Sequence, residues 1–135
     1  MKLKVQDDLH HYLSCDIKIS PDGKSAILCQ PHLIANLKEK MGATVKDMRS
    51  YLTPGTPGQT ICKATKGQEM VSSDQHATYR SVVGMLLYLV KHSRPDIANA
   101  VQELSKVLEE PSATAYKDCL LYTSDAADEG LGVDL

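Results

Sequence analysis

The chain has 135 residues, a length that suits one domain or part of one. Hydrophobic residues make up 42% of it and charged residues 24%, which is close to ordinary globular composition. No run of about 18 apolar residues is present, so a membrane-spanning helix is excluded. The first residues lack the apolar centre of a signal peptide. We therefore expect a cytoplasmic protein with no membrane partner.

Charge gives only a weak indication of the partner. The net charge is −2, which does not by itself favour nucleic acid. Residues 119–135 contain four acidic residues and neither Lys nor Arg, and without them the net charge becomes +2. The sign of the remaining charge permits a surface that faces phosphates.

The first predicted element is a β-hairpin. Apolar and polar residues alternate from Tyr12 to Ile19, which is the period-two pattern of a strand with one apolar face. Residues 20–24 contain a Pro and a Gly, which favour a tight turn. A second alternating segment covers 25–30. The pattern therefore predicts two strands joined by a turn near residue 22.

Helices are predicted after the hairpin. The first begins at Pro31, because a missing N–H costs nothing in the first turn of a helix. The second begins near Asp74, which we expect to be its N-cap. The apolar stripe of the second helix contains Gly84, where we expect another backbone to approach closely.

Two further helices follow short breaks. The third begins around 93–96 and ends at Pro111, and Ser112 opens the fourth. Since only a few residues separate the second helix from the third, we expect them to pack as an antiparallel pair. By contrast, 43–72 shows no periodic pattern and contains a Thr-Pro-Gly repeat at 53–58. This composition predicts a long surface loop.

Two groups of residues have the composition of metal sites. Asp7 and Asp8 are paired carboxylates, which polymerases use to hold divalent metals, but no apolar strand precedes them. We interpret them as an exposed acidic turn. Cys29 and His32 have the spacing of zinc ligands, although a hairpin face of small apolar residues also explains the cysteine. We therefore expect no metal ligand in this chain.

Basic residues cluster where the second helix meets the third. Lys91, His92 and Arg94 lie at this junction. A cation near the C-terminus of a helix is favoured by the helix dipole alone, and the same side chains could contact phosphates. Arg80, beside the apolar stripe, is open to pairing with an acidic residue or to a similar contact.

The last segment differs in pattern from the rest of the chain. Residues 119–135, beginning Cys-Leu-Leu-Tyr-Thr-Ser-Asp-Ala-Ala-Asp-Glu, resemble the translation of a sequencing-library adapter. We interpret them as a tail of non-biological origin. The other interpretation is a genuine, divergent end of the fourth helix.

Several short motifs upstream follow one another in a specific order. They are Tyr12–Ile17, Gln30–Ile34, Thr53–Pro54, Tyr79–Leu89, Arg94–Ala98 and Leu104–Ser105. This order resembles the C-terminal half of the reverse transcriptase domain of copia-type retrotransposons, and the resemblance spans residues 8–118. The most specific part is Y-R-S-x-x-G-x-L-L-Y-L followed closely by R-P-D-I-A.

The resemblance implies an α+β fold. An N-terminal β-hairpin of the palm, the primer grip, would occupy residues 1–30, and a thumb-like bundle of three to four helices would occupy 31–118. Tyr12, Leu13 and Ser14 stand at the primer-grip positions that hold the growing 3′ end. Ser14 replaces the Gly that is usual in the family, so its Cβ could crowd a close approach of the backbone.

The family also implies partners and candidate contacts. The partners are an RNA/DNA template–primer duplex and the rest of the polyprotein, namely palm, fingers and ribonuclease H, within a cytoplasmic virus-like particle. The candidates for contact with the nucleic-acid backbone are Arg80, Lys91, His92 and Arg94.

The resemblance further implies that this fragment is inactive alone. The Tyr-x-Asp-Asp segment that carries the catalytic aspartates in the family lies upstream of the primer grip and is missing from this sequence. We therefore expect no catalytic residue and no cofactor here, although Mg²⁺ is implied for the intact enzyme. The alternative function is a stand-alone small module that binds nucleic acid or another protein.

Overall fold

The computed structural model describes residues 10–41, 60–65, 70–128 and 133–134. Within these ranges the protein is α+β, with a small antiparallel sheet followed by four helices. The Asp7–Asp8 pair and the Thr-Pro-Gly repeat at 53–58 lie outside the described residues.

The sheet is built from consecutive antiparallel strands. Strand β1 covers His11–Tyr12, β2 covers Cys15–Ile19 and β3 covers Ala26–Cys29. A short fourth strand, β4 at Val133–Asp134, pairs with the free edge of β3. The hairpin predicted from the alternating pattern is therefore confirmed for β2 and β3.

The prediction of a continuous strand from Tyr12 to Ile19 was wrong in one respect, because the strand is interrupted at Leu13 and Ser14. These two residues form a tight turn between β1 and β2, with Tyr12 paired to Cys15. Both have positive φ angles, 49° and 62° respectively, as two-residue hairpin turns of the common mirror-image type require. Neither residue is Gly or Asn, so the alternating pattern concealed the reversal of the chain.

Two helices follow β3 along the chain. Helix α1 covers Pro31–Met41 and helix α2 covers Ser73–His92. The N-cap of α2 is Ser72 and not Asp74, because the Ser72 hydroxyl accepts from the Gln75 amide while the Gln75 side chain accepts from the Ser72 amide. This reciprocal capping box satisfies two amides that a cap at Asp74 would leave without partners.

Two further helices complete the bundle. A single 3₁₀ turn at Pro95–Ile97 leads into helix α3, Ala98–Ser105, and helix α4 covers Ala113–Asp128. Helix α3 ends six residues before Pro111, earlier than predicted, because the amides that follow it turn back to Glu103 and Leu104. The predicted start of α4 is confirmed, since the Ser112 hydroxyl accepts from the Ala115 amide at 3.2 Å.

The four helices share one hydrophobic core. Within the described ranges, no side chain of β1, β2 or β3 belongs to it. Its buried members are Leu37, Met41, Ile61, Tyr79, Val82, Val83, Leu86, Leu89, Ile97, Ala100, Val101, Leu104, Val107, Ala115, Cys119, Leu120 and Tyr122.

Polar bonds tie the start of α2 to the end of α3. The Tyr79 hydroxyl donates to the Leu104 carbonyl at 2.8 Å, and a ring nitrogen of His76 lies 2.8 Å from the Leu108 carbonyl. Burial raises the pKa of Tyr79, so its hydroxyl keeps the proton that this bond needs. The contacts fit the antiparallel packing expected of these two helices.

One face of α2 remains on the surface. Gly84 is exposed, and a Cβ added there would meet no atom within 4 Å, so the expected close approach of another backbone is wrong. Leu87, one turn further along, is 43% exposed and therefore does not belong to the buried stripe. These two residues lie between Arg80 and Lys91 on the same exposed side.

Helix α4 continues through the segment interpreted as an adapter-derived tail. Cys119, Leu120, Tyr122 and Thr123 are all buried. The Thr123 hydroxyl donates to the Cys119 carbonyl at 2.8 Å, and burial raises the pKa of the Cys119 thiol to about 12. Residues 119–123 therefore complete the core of the structure, whatever the origin of their codons.

Ending the chain after Asp118 is expected to lower the free energy of unfolding by more than about 3 kcal/mol, because burial of each large apolar side chain contributes roughly 1.5–3 kcal/mol. Urea denaturation of 1–118 and 1–135 measures the difference. A chain that ends after Asp128 keeps all of α4 and is the control. Equal stability of 1–118 and 1–135 would contradict the packing of α4 and favour a foreign tail.

Candidate nucleic-acid interface

The three predicted primer-grip residues lie at the tip of the β1–β2 turn. Tyr12 and Leu13 are each 56% exposed, and Ser14 is also exposed. The φ of 62° at Ser14 lies in a region that Gly enters freely and other residues enter at a cost. The turn therefore presents two large side chains to solvent on a backbone held in an uncommon conformation.

A tyrosine that the sequence analysis did not select joins this turn to the helices. The Tyr88 hydroxyl donates to the Leu13 carbonyl at 2.8 Å. The ring of Tyr88 packs on His92, with ring centroids 4.2 Å apart. The predicted grip residues and His92 are thus brought to the same end of the molecule.

Two clefts lie between the strands and α1, and one of them adjoins this turn. The first cleft, beside the turn, has a volume of about 450 Å³, and the second has a volume of about 380 Å³. Asp16 lines both, and we call the two together the hairpin groove. The remaining lining residues are His11, Ser14, His32, Leu33, Asn36 and Tyr88 in the first cleft, and Lys18, Cys29, Pro31, Ile34, Ala35 and Lys38 in the second.

The lining of the hairpin groove is more basic than acidic. Asp16, the one carboxylate that lines it in the described part of the chain, lies 2.7 Å from Nδ1 of His11. Lys18 on β2 and Lys38 on α1 are both exposed at its far end. An anionic strand in the groove would therefore meet two lysines and a carboxylate that already has a partner.

The two lysines of this groove carry no signal in the sequence that marks them as neighbours. The alternating pattern places Lys18 on the polar face of its strand, and the helical pattern places Lys38 away from the buried Leu37. Neither pattern indicates that these two faces meet. Their convergence depends on how the chain turns at Gln30, between β3 and α1.

The four predicted backbone contacts occupy three different environments. Arg80 and Lys91 are exposed on one side of α2, and at 1.5 Å per residue they stand about 16 Å apart along the helix. His92 is half-buried, and its Nδ1 lies 2.9 Å from the Tyr88 carbonyl. These three residues remain candidates for contact with nucleic acid.

Arg94 has a different environment. Its side chain is 8% exposed, and Nε and Nη2 donate to the two carboxylate oxygens of Asp96 at 2.9 and 2.7 Å. The Arg94 guanidinium lowers the pKa of Asp96 through this paired bond. Arg94 thus braces the turn between α2 and α3 and offers little surface to a phosphate.

The described residues contain no group of three His, Cys, Asp or Glu side chains that could hold a metal ion. Cys29 lies on the groove side of β3, and its thiol donates to the Asp16 carbonyl at 3.6 Å. His32 lines the neighbouring cleft.

Comparisons with known proteins do not assign the chain to a family. No protein-family model, curated protein or solved structure matches the chain. Within the described ranges, no helix combines the length and the apolar character needed to cross a membrane.

Replacing Ser14 with Gly is expected to stabilise the protein by about 1 kcal/mol, because Gly adopts a positive φ without the cost that a Cβ brings. Thermal unfolding followed by circular dichroism measures the shift. Gly23 already occupies a position with φ +67°, so Gly23→Ser is the matched reverse change and should destabilise. A lower melting temperature for Ser14→Gly would show that Ser14 does not hold a positive φ.

Proposed function

We propose that this chain is part of the reverse transcriptase domain of a copia-type retrotransposon. It would position a template–primer duplex for RNA-directed DNA synthesis, with the hairpin as the end of the palm and the helices as the thumb. The phosphoryl transfer would be carried out by aspartates encoded upstream, so the fragment would be inactive alone.

The observation that carries the proposal is the convergence of the exposed turn, the hairpin groove and the end of α2. The turn and the groove share Ser14, and Tyr88 contacts both. An element that holds a primer end needs exposed side chains beside a channel for the strand. This arrangement supplies both.

Electrostatics supports nucleic acid as the partner of the groove. Lys18 and Lys38 can contact phosphates as point charges, which gives affinity but little sequence preference. Leu33 and Ile34 provide apolar surface on the α1 side, against which sugars or base edges can pack. Binding of this kind is expected to depend strongly on salt.

Changing Lys18 and Lys38 together to Gln is expected to weaken binding to a recessed primer–template. The slope of log Kd against log salt should fall in magnitude by roughly 1.4–1.8, since each of the two lost phosphate contacts contributes about 0.7–0.9. Fluorescence anisotropy at several salt concentrations measures both quantities. The double variant Lys106→Gln, Lys117→Gln removes the same charge from residues that line neither cleft, and should retain the wild-type slope. Equal slopes in both double variants would contradict a role for the groove.

The genomic DNA on either side of the coding segment tests the family assignment directly. The upstream flank is expected to encode Tyr-x-Asp-Asp, and the downstream flank a ribonuclease H, because the family places these segments on either side of the palm–thumb region. Sequencing across the locus with adapter trimming provides the measurement. Intact, unrelated genes on both sides would rule out the proposal.

A further inference from the structure

The β1–β2 turn requires support from outside itself. Leu13 and Ser14 both hold positive φ angles, a conformation that costs free energy for any residue with a Cβ and persists only when the surroundings enforce it. Within the hairpin, the Ile17 amide donates to the His10 carbonyl at 2.8 Å. Outside the hairpin, the hydroxyl of Tyr88 donates to the Leu13 carbonyl.

The hydrophobic core gives the described strands little attachment to the helices. Among the described strand side chains, Cys15 alone is fully buried, and it lies outside the core that the helices share. At the end of the sheet where the β1–β2 turn lies, the Ser93 hydroxyl donates to the Gln30 side-chain oxygen at 2.8 Å, and both side chains are buried. Two bonds from the end of α2 and the residue after it therefore hold this end of the sheet, one from Ser93 to Gln30 and one from Tyr88 to the turn.

Tyr88 is itself held in one orientation. Its ring packs on His92 at an interplanar angle of 34°, and Nδ1 of His92 bonds to the Tyr88 carbonyl. Both residues lie in the last two turns of α2, whose other side is anchored by the buried Leu86 and Leu89. The hydroxyl is thus presented from a rigid part of the fold.

We propose that Tyr88 is a positioning residue that fixes the β1–β2 turn against α2, and thereby sets where Tyr12, Leu13 and Ser14 meet the end of a primer strand. This inference rests on the proposed function, because it assumes that the turn contacts a primer end. Tyr88 itself need not touch the nucleic acid. Its contribution is to hold the turn beside the entrance to the hairpin groove.

The test uses the full chain with Tyr88→Phe, which removes only the hydroxyl and keeps the packing on His92. Tyr116→Phe removes the same atom from a half-buried tyrosine on α4 and is the control. Hydrogen–deuterium exchange of residues 10–17 should accelerate about fivefold in Tyr88→Phe, the size expected for one lost hydrogen bond. Exchange should stay at the wild-type rate in Tyr116→Phe.

The second measurement separates positioning from a general loss of stability. It is the ratio of affinities for a recessed primer–template and for a continuous duplex of the same length and charge. Tyr88→Phe should lower this ratio severalfold while leaving the salt dependence of binding unchanged, because no charge is removed. A variant that is merely less stable would weaken binding to both nucleic acids equally and keep the ratio.

The outcomes distinguish this inference from the proposed function. If the wild-type chain binds neither nucleic acid at low salt, the proposed function fails. If the wild-type chain prefers the recessed end and Tyr88→Phe keeps that preference, only the role of Tyr88 is overturned. Unchanged exchange of residues 10–17 in Tyr88→Phe overturns it as well, independently of any binding.

Discussion

The placement of the sheet depends on polar contacts, and the rest of the candidate interface depends on that placement. Small sheets of this kind are marginal without a packed apolar face, and here Cys15 is the one strand residue within the described ranges that is fully buried. The buried bond between Ser93 and Gln30 therefore carries unusual weight, because a buried polar group that loses its partner is costly. It fixes the point at which β3 turns into α1, and so it fixes the two walls of the hairpin groove.

Residues on which the family resemblance rests mostly hold the fold together. Tyr79 closes the end of α3, Arg94 is clamped on Asp96, and Gln30 binds Ser93 in the interior. None of these has much exposed surface. The most specific motifs thus supply structural contacts, while Lys18 and Lys38, the proposed contacts with nucleic acid, lie outside them.

Arg94 belongs to the residues that hold the fold together, although its position in the sequence also fits a contact with a phosphate. A basic residue next to a helix end satisfies the pattern for a phosphate contact and the pattern for a structural ion pair equally well. The deciding quantity is burial: at 8% exposure, the guanidinium bonds to a nearby carboxylate. Burial of a single side chain depends on tertiary packing and not on local sequence.

Local patterns predicted the elements well and their junctions less well. Period-two alternation identified β2 and β3, and helical spacing identified α1, α2 and the start of α4, because each pattern reports which face is buried. The cap of α2 was displaced by two residues since Ser72, Ser73 and Asp74 can all act as caps, and the position of Gln75 decides among them. The sequence pattern did not predict the turn at Leu13 and Ser14, because neither residue type is typical of a turn with positive φ angles.

The candidate site could be predicted only in part, for a similar reason. The family resemblance indicated Tyr12, Leu13 and Ser14 as candidates. Tyr88 contacts Leu13 although the two residues are 75 positions apart in the sequence. Lys18 and Lys38 converge only once the sheet has folded beside α1. Contacts of this range depend on the assembled fold, so neither hydropathy periodicity nor motif order could indicate them.

The proposed function also accounts for two features that are unfavourable in an isolated domain. The hairpin exposes large apolar side chains at Tyr12, Leu13 and Ile19, and such exposure commonly marks a surface that a partner covers. The same hairpin holds a turn in a backbone conformation that its residues do not favour. Strain of this kind concentrates at functional sites, where the surrounding structure sustains it. In the larger assembly, the primer end would contact the turn, and the remaining palm would cover the apolar side chains of the sheet. Both features would then serve the proposed function.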